Sequence, residues 1–590
     1  MTDIEDIVIQ RAEYPTRLVA NTYLVVGIAI LLLSSMIETS TLSRYLIGTL
    51  VEFLLAALAL IALRLEKLSV KKTARLSWPA AQEILLAVAA APGLWITGVM
   101  LNLVSVFVLG YVTPVPPSQF PTTIAEAAAL MLATLVAAPL CEELIFRGYV
   151  QRAYERKRVW VGVLAGGFIF ALYHLRFQGV AAIIPVALAL SFIAWRTGSL
   201  IPGIALHAAY NAIATILLVS TSFLPMQVTG ALTGTIACLS VLMTPLSLVA
   251  LFLLWKRTWP SPHRPVPQPK VWLRWAWILP LVGLSVIYGY SAVSEVLIGR
   301  FPETVFNDPL KLEAPPASWD GLTHWRYTIQ NQLGDELGEA TCSRRQEDSR
   351  YTLSCEAEHE GYDLSNRFPF LEGWQPLVPS DGDTQAAPPW WPAGLPRLES
   401  LVRTEPQAWT LSAVWDSPDL AVQAFTMTTE AQEAGQTTMS YERAPESPDI
   451  EVTTPTGSSA VALPTEPALM AFEWVWRLSA LPFEVGYGGD ATLVALQNDT
   501  GAKAYEAFVQ VRGGEPAWTP AGTFVAWKVV VSWEDGAGRK KTQTAWYDAQ
   551  PPHTLVRFDD GVVSYVLATV DTADQVVETE AYAVLLRGRK

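Results

Sequence analysis

Cys141-Glu142-Glu143-Leu144-Ile145-Phe146-Arg147-Gly148 closes an apolar run that begins near residue 122. A run of that length and apolarity reads as a membrane-crossing helix. Two carboxylates and a guanidinium are expensive at membrane depth, so such groups mark a functional site by default. His174, His207 and Asn211 follow on later apolar segments that carry little else ionisable. Together these residues point to a polytopic helical bundle built around a polar centre.

On either side of this run the chain alternates apolar stretches with short loops. Nine spans are expected, at roughly 18–37, 46–63, 80–110, 122–147, 159–175, 179–196, 200–220, 229–255 and 273–297. The third is long and contains Pro92, which predicts a kink or an interfacial extension. Arg64, Lys67, Lys71, Lys72 and Arg75 follow the second span. Arg152, Arg156, Lys157 and Arg158 follow the fourth, and Lys256, Arg257, Arg264, Lys270 and Arg274 lie between the eighth and ninth. The intervening loops hold only single basic residues such as Arg44 and Arg176. The positive-inside rule then places the N-terminus in the cytoplasm of a multi-pass cell-membrane protein. An odd number of spans puts the C-terminal region outside. Asp3, Glu5, Asp6, Arg11 and Arg17 precede the first span with no small-residue cleavage site, so that span is expected to be a permanent anchor. Trp272, Trp275 and Trp277 read as an interfacial aromatic belt.

Composition divides the chain in two. Of 590 residues, 51% are hydrophobic and 16% charged, too apolar for an ordinary soluble protein. The apolar excess is confined to a transmembrane domain at 1–298, with its motif core at about 80–255. Residues 299–590 read as an acidic, Trp-rich extracytoplasmic domain. A net charge of −14 argues against a nucleic-acid partner. From Thr523 to Val570, alternating segments separated by Glu534-Asp535-Gly536, Pro551-Pro552 and Asp559-Asp560-Gly561 predict an antiparallel β meander. Residues 429–466, rich in Thr, Ser, Glu and Pro, read as a loop or linker. Cys342 and Cys355 are predicted to form a disulfide stapling a hairpin. His324, His359 and His553 show no metal-ligand spacing and are read as surface or core histidines.

Helix geometry separates the roles at the polar centre. Residues i and i+4 share a face, whereas neighbours point about 100° apart. Glu143 is thus stacked on Arg147, leaving Glu142 free for chemistry; His207 shares a face with Asn211, and Phe170 with His174. Counting about 1.5 Å per residue, Glu142 lies about 15 Å from Arg152, His174 about 23 Å from Arg158 and His207 about 16 Å from Arg196, so all three can meet at similar depth. Two imidazoles, a carboxylate and an amide can hold a divalent ion with an open position. A carboxylate in an apolar setting binds protons more tightly, which suits a base that takes a proton from water. An uncharged amide donor can stabilise an oxyanion. The set suggests hydrolysis of an amide bond.

Glu142-Glu143-x-x-x-Arg147, Phe170-x-x-x-His174 and His207-x-x-x-Asn211 match, in order and spacing, the three motifs of the CPBP intramembrane metalloproteases. The chain resembles that family, which includes the CAAX prenyl endopeptidase Rce-type enzymes and the bacterial Abi proteins. The resemblance implies that Glu142 activates water and that His174, His207 and Asn211 complete the catalytic site. It makes Glu143 and Arg147 supporting residues, and His174 and His207, with Glu142, the candidate ligands of a divalent metal such as zinc. The implied substrate is a membrane-embedded or membrane-adjacent peptide. The chain departs from the minimal pattern by a ninth span and a large exported region, expected to recruit a substrate or sense an extracytoplasmic partner. The segments around Pro520–Phe524, Trp546–Asp548 and Leu555–Arg557 look like exported bacterial β domains of unknown function.

Other readings stand beside this one. A single Glu–Arg pair or a single membrane histidine is most often structural, and the weight lies in the joint set. Cys141 next to Glu142 invites a thiol protease, but a thiol in an apolar environment is a poor nucleophile. A proton-relay transporter would be marked by inverted repeats, and none is visible. The alternative function is a non-catalytic membrane scaffold or immunity-type protein with an exported binding domain.

Overall fold

Helices that are apolar all round need lipid or other helices on every side. The first half of the chain is built from them: α1 (Arg17–Ser35), α2 (Thr41–Leu65), α3 (Ala81–Leu109), α4 (Ile124–Glu155), α5 (Val159–Tyr173), α6 (Val180–Thr197), α7 (Ile201–Phe223), α8 (Met226–Arg257) and α9 (Ile278–Arg300). The computed structural model describes residues 14–37, 40–156, 158–224, 226–258, 276–306, 308–315, 319, 321–331, 333–347, 349–363, 403–404, 406–431, 435–443, 449–454, 457–462, 468–497, 501–534 and 540–572. Chain contacts divide it into one unit of Met1–Thr113 with Ser118–Arg300 and another of Pro114–Pro117 with Phe301–Lys590.

Among the described residues eight of the nine helices are long and apolar enough to cross a membrane, and α5 is a shorter apolar helix of 15 residues. The expected span at 159–175 is thus shorter than the other eight. The chain leaves α5 at His174, and Leu175 takes the left-handed conformation (φ 53°) that ends the helix. Gly162 and Gly167 let α5 lie close to its neighbours: a Cβ at either would fall within 3 Å of Glu155 or Leu188.

Pro92 sits inside the continuous helix α3. Proline breaks the local hydrogen-bond ladder, and in lipid a freed backbone group must find another partner. Ser247 of α8 supplies one: Gly93 N–H donates to its Oγ at 3.1 Å, and its hydroxyl donates to the Ala89 carbonyl at 3.0 Å. Trp272 and Trp275 lie outside the described residues. The Trp277 ring packs edge-on to Tyr154 (6.2 Å between centroids) and beneath the Arg17 guanidinium.

The second unit carries a 15-stranded sheet among its described residues. Its first strand, Leu322–Gln330, pairs antiparallel with its last, Ser564–Thr572, in the middle of the sheet. From this seam the strands run outward in chain order to Gly457–Ala462 on one side, and back from Ala468–Met470 on the other. All pairings are antiparallel except that of Ala468–Met470 with Gly488–Gln497. The meander read from Thr523 onward is the set Gly522–Glu534, Lys540–Asp548, Leu555–Asp559 and Ser564–Thr572.

The 429–466 stretch corrects the linker reading. It holds strands Gly435–Glu442, Asp449–Thr454 and Gly457–Ala462, while 432–434, 444–448, 455–456 and 463–467 lie outside the described residues. β-branched threonines fit a pleated, half-exposed surface as well as a loop. Met439 and Tyr441 mark the buried face. Cys342 and Cys355 are direct partners on adjacent strands and form a disulfide. The core is aromatic, with Trp319, Trp415, Trp474, Tyr327 and Tyr547 fully buried around the short helix Trp474–Arg477.

Candidate active site

Helix α4 carries the paired glutamates and is not uniformly α-helical. Leu132–Ala137 and Glu143–Val150 are π-helical, with Ala138–Glu142 α-helical between them. π-turns are rare and gather at functional sites because they redirect side chains. Glu142 ends the α-helical stretch and Glu143 begins the second π-turn.

Glu143 and Arg147 are fully buried, so each must be satisfied by protein groups. Glu143 Oε1 accepts from Arg147 Nη1 at 2.9 Å and from His207 Nδ1 at 3.1 Å. Arg147 Nη2 donates to the Ala187 carbonyl at 3.1 Å, tying α4 to α6. Its guanidinium carbon lies 4.2 Å from the Phe170 ring centroid. Phe170 meets both imidazoles edge-on, His174 at 4.9 Å and His207 at 5.9 Å.

Glu142 Oε2 stands 3.6 Å from His207 Nε2, too far for a hydrogen bond. It is buried and has no hydrogen-bond partner among the described residues. The His207 ring is therefore bracketed, Nδ1 toward Glu143 and Nε2 toward Glu142. His174 is exposed at the C-terminal end of α5, where its Nδ1 donates to the Phe170 carbonyl at 2.9 Å. Asn211 Nδ2 donates to the Thr134 carbonyl at 2.9 Å, inside the first π-turn. Thr215 Oγ1 donates to Thr134 Oγ1 one turn further on.

Both imidazoles thus give Nδ1–H to an acceptor, which fixes the tautomer and leaves Nε2 with its lone pair. That arrangement is the usual one for a metal-bound histidine. The donor chemistry fits a divalent ion, although no group of three or more His, Cys, Asp or Glu is clustered to hold one among the described residues.

Residues 124–213 match the family described as type II CAAX prenyl endopeptidase Rce1-like. This segment is Rce1-like. The match contains Glu142, Glu143, Arg147, Phe170, His174, His207 and Asn211. The matched segment is thus similar to CAAX-type endopeptidases, a hydrolase class that acts on peptides. No curated protein matches the chain. Two solved structures do: a candidate lipoprotein from Parabacteroides distasonis, at 10% identity over 45% of this chain and 100% of that one, TM-score 0.16, and a candidate exported protein with a YmcC-like fold from Bacteroides fragilis, at 10% identity over 45% and 99%, TM-score 0.13.

Two acidic residues outside the Rce1-like segment bear on it and were missed in the sequence. Glu52 of α2 interacts electrostatically with Glu142, Cys141 and Tyr173. Glu295 of α9 holds the loop that follows His174. Its carboxylate accepts from the Phe177 and Gln178 backbone N–H groups, both at 2.8 Å, and from Tyr111 and Thr113 hydroxyls at 3.0 and 2.9 Å. Ser291, one turn earlier, donates to the Leu175 carbonyl at 2.9 Å. The signal for both was available, since each is a lone carboxylate in an apolar span.

Proposed function

We propose that the chain is an intramembrane endopeptidase in which Glu142 is the general base. The observation that carries this is the asymmetry of the glutamates: Glu143 Oε1 is held by Arg147 and His207, whereas Glu142 accepts no hydrogen bond among the described residues and its Oε2, like Glu143 Oε2, is buried without a partner. A free buried carboxylate is suited to taking a proton from water.

In the proposed step, water between Glu142 and the substrate carbonyl gives its proton to the Glu142 carboxylate. Its oxygen bonds to the carbonyl carbon, and the carbonyl π pair moves onto oxygen. The Asn211 amide has a second hydrogen beyond the one given to Thr134, and this can be donated to the oxyanion. As the pair returns, the C–N bond breaks, and the proton on Glu142 passes to the leaving nitrogen. A carboxylic acid and an amine result. His207, held by Glu143, and His174, held by the Phe170 carbonyl, present Nε2 to orient the water. A divalent ion, zinc in the first place, would be held by those Nε2 atoms with Glu142 and would make the bound water more acidic.

The β unit is assigned to substrate recruitment or sensing outside the cytoplasm. That orientation is supported by the alternation of basic loops and by the Cys342–Cys355 disulfide, a bond that persists in oxidising compartments. Comparing membrane and secreted peptides from cells carrying wild type or Glu142→Gln tests the enzyme. Peptides should disappear in the variant, with a rate loss of roughly 10²–10⁴-fold or more on any substrate found. Unchanged peptides, with full complementation of a deletion phenotype by Glu142→Gln, would favour the scaffold instead. Chelation followed by zinc should abolish and restore cleavage, and indifference to chelator would remove the metal.

A further inference from the structure

The strand Glu336–Glu347 alternates burial with period two, and its inward positions are Ala340, Cys342 and Arg344. A guanidinium at a core register position breaks the pattern that places apolar residues there. Local rules tend to be broken where function requires it. Arg344 is 4% exposed and stacks against two indoles, its guanidinium carbon 3.9 Å from the Trp319 centroid and 5.2 Å from that of Trp325. Among the described residues no carboxylate pairs with it, and its Nε has no hydrogen-bond partner. Burial without a counter-charge pulls its pKa down to about 9. The Trp325 indole N–H, in a side chain 5% exposed, also lacks an acceptor.

Both residues line one cavity of about 150 Å³. Trp476, Leu555 and Val570 form its apolar wall, and His553 stands at its polar side. A buried charge and a buried N–H without acceptors are each costly, and a single acceptor group relieves both.

We propose that this cavity binds a small organic carboxylate with an apolar body. A carboxylate offers two acceptor oxygens and no donor, the complement of a guanidinium edge and an indole N–H. One guanidinium balances one negative charge, so a phosphate dianion would leave charge buried and unpaired. The apolar body lies on Trp476, Leu555 and Val570. The site shares no residue with the membrane centre and stands independently of the protease reading.

The test is calorimetric titration of the full-length chain in detergent with the N-acetyl derivatives of glycine, leucine and phenylalanine, their carboxamides, and inorganic phosphate. Saturable binding is expected for the acids, stronger for leucine and phenylalanine than for glycine. The carboxamides should bind at least about tenfold more weakly, as expected when a charge-assisted bond is lost. Phosphate should give no saturable heat. Arg344→Met should melt no lower than wild type without ligand, since apolar replacement of a buried charge is often neutral or stabilising, and should lose the acids. If that variant fails to fold, Arg344→Lys should bind the acids about tenfold or more weakly, because a point charge replaces a planar fork. A pentapeptide and its C-terminal amide separate a chain end from a free acid as the source. Absence of saturable binding by all three acids would overturn the proposal, as would equal binding of acids and amides or undiminished binding by Arg344→Met.

Discussion

Glu143 is the pivot of the membrane site because two cations-in-waiting share one of its oxygens. Replacing Arg147 by Met leaves that carboxylate buried with His207 alone. The expected loss is about 3–5 kcal/mol, the usual range when half of a buried pair is removed, read as a lower melting temperature in detergent. Adding Glu143→Gln to Arg147→Met should recover most of it. Gly203 on α7 makes the same point sterically. A Cβ there would come within 3.1 Å of Glu143 Oε2, so Gly203→Ala should destabilise by about 1–3 kcal/mol. Cleavage should fall with stability, and a thermal melt alongside an activity assay checks both. The Glu143–Arg147 pair was legible in the sequence because four-residue spacing is a local property. The grip of Glu143 on His207 was not, since it joins residues on α4 and α7 that only packing brings together.

At the scale of elements, the α-helical wheel used to read α4 assumed one geometry throughout. Two π-turns interrupt it, and one presents the Thr134 carbonyl to Asn211. Apolar sequence does not announce a π-turn, so the bond from Asn211 to the Thr134 carbonyl was not legible. The ninth helix is the other departure. It was read as an addition to the family pattern, yet Ser291 and Glu295 fasten Leu175, Phe177 and Gln178, just after His174. Glu295→Ala should leave the protein folded in the membrane while lowering cleavage several-fold, because the His174 ring is no longer fixed. Faster backbone hydrogen exchange at Phe177 and Gln178 should accompany the loss. Unaltered exchange would remove the clamp. In the β unit, strands with strong alternation from Thr523 onward were readable. The Thr-rich strands at 435–462 were not, because their outward positions carry the same residues as a polar loop.

For the molecule as a whole, apolar length and charge marked where the membrane helices end and the sheet begins, since both are sums over many residues. The long-range order of the sheet is invisible to such sums. The disulfide offers a global test. It closes a loop with a sequence separation of 13, so reduction should cost the β unit about 3 kcal/mol, seen as a lower unfolding transition in reductant. The membrane unit should melt unchanged.

The central seam of that sheet joins Trp325 to Val570 and Tyr327 to Leu567, pairing the first strand with the last. Closing so long a stretch of chain is slow compared with making hairpins. During synthesis every other strand can find its neighbour while Leu322–Gln330 still waits with an open edge. One half of the sheet thus grows outward from the middle and the other inward from its rim, the central seam closes last, and a ribosome stalled before Ser564 releases a sticky, half-zipped product. A protease or chaperone that surveys new chains has one place to look, and it is the strand made first.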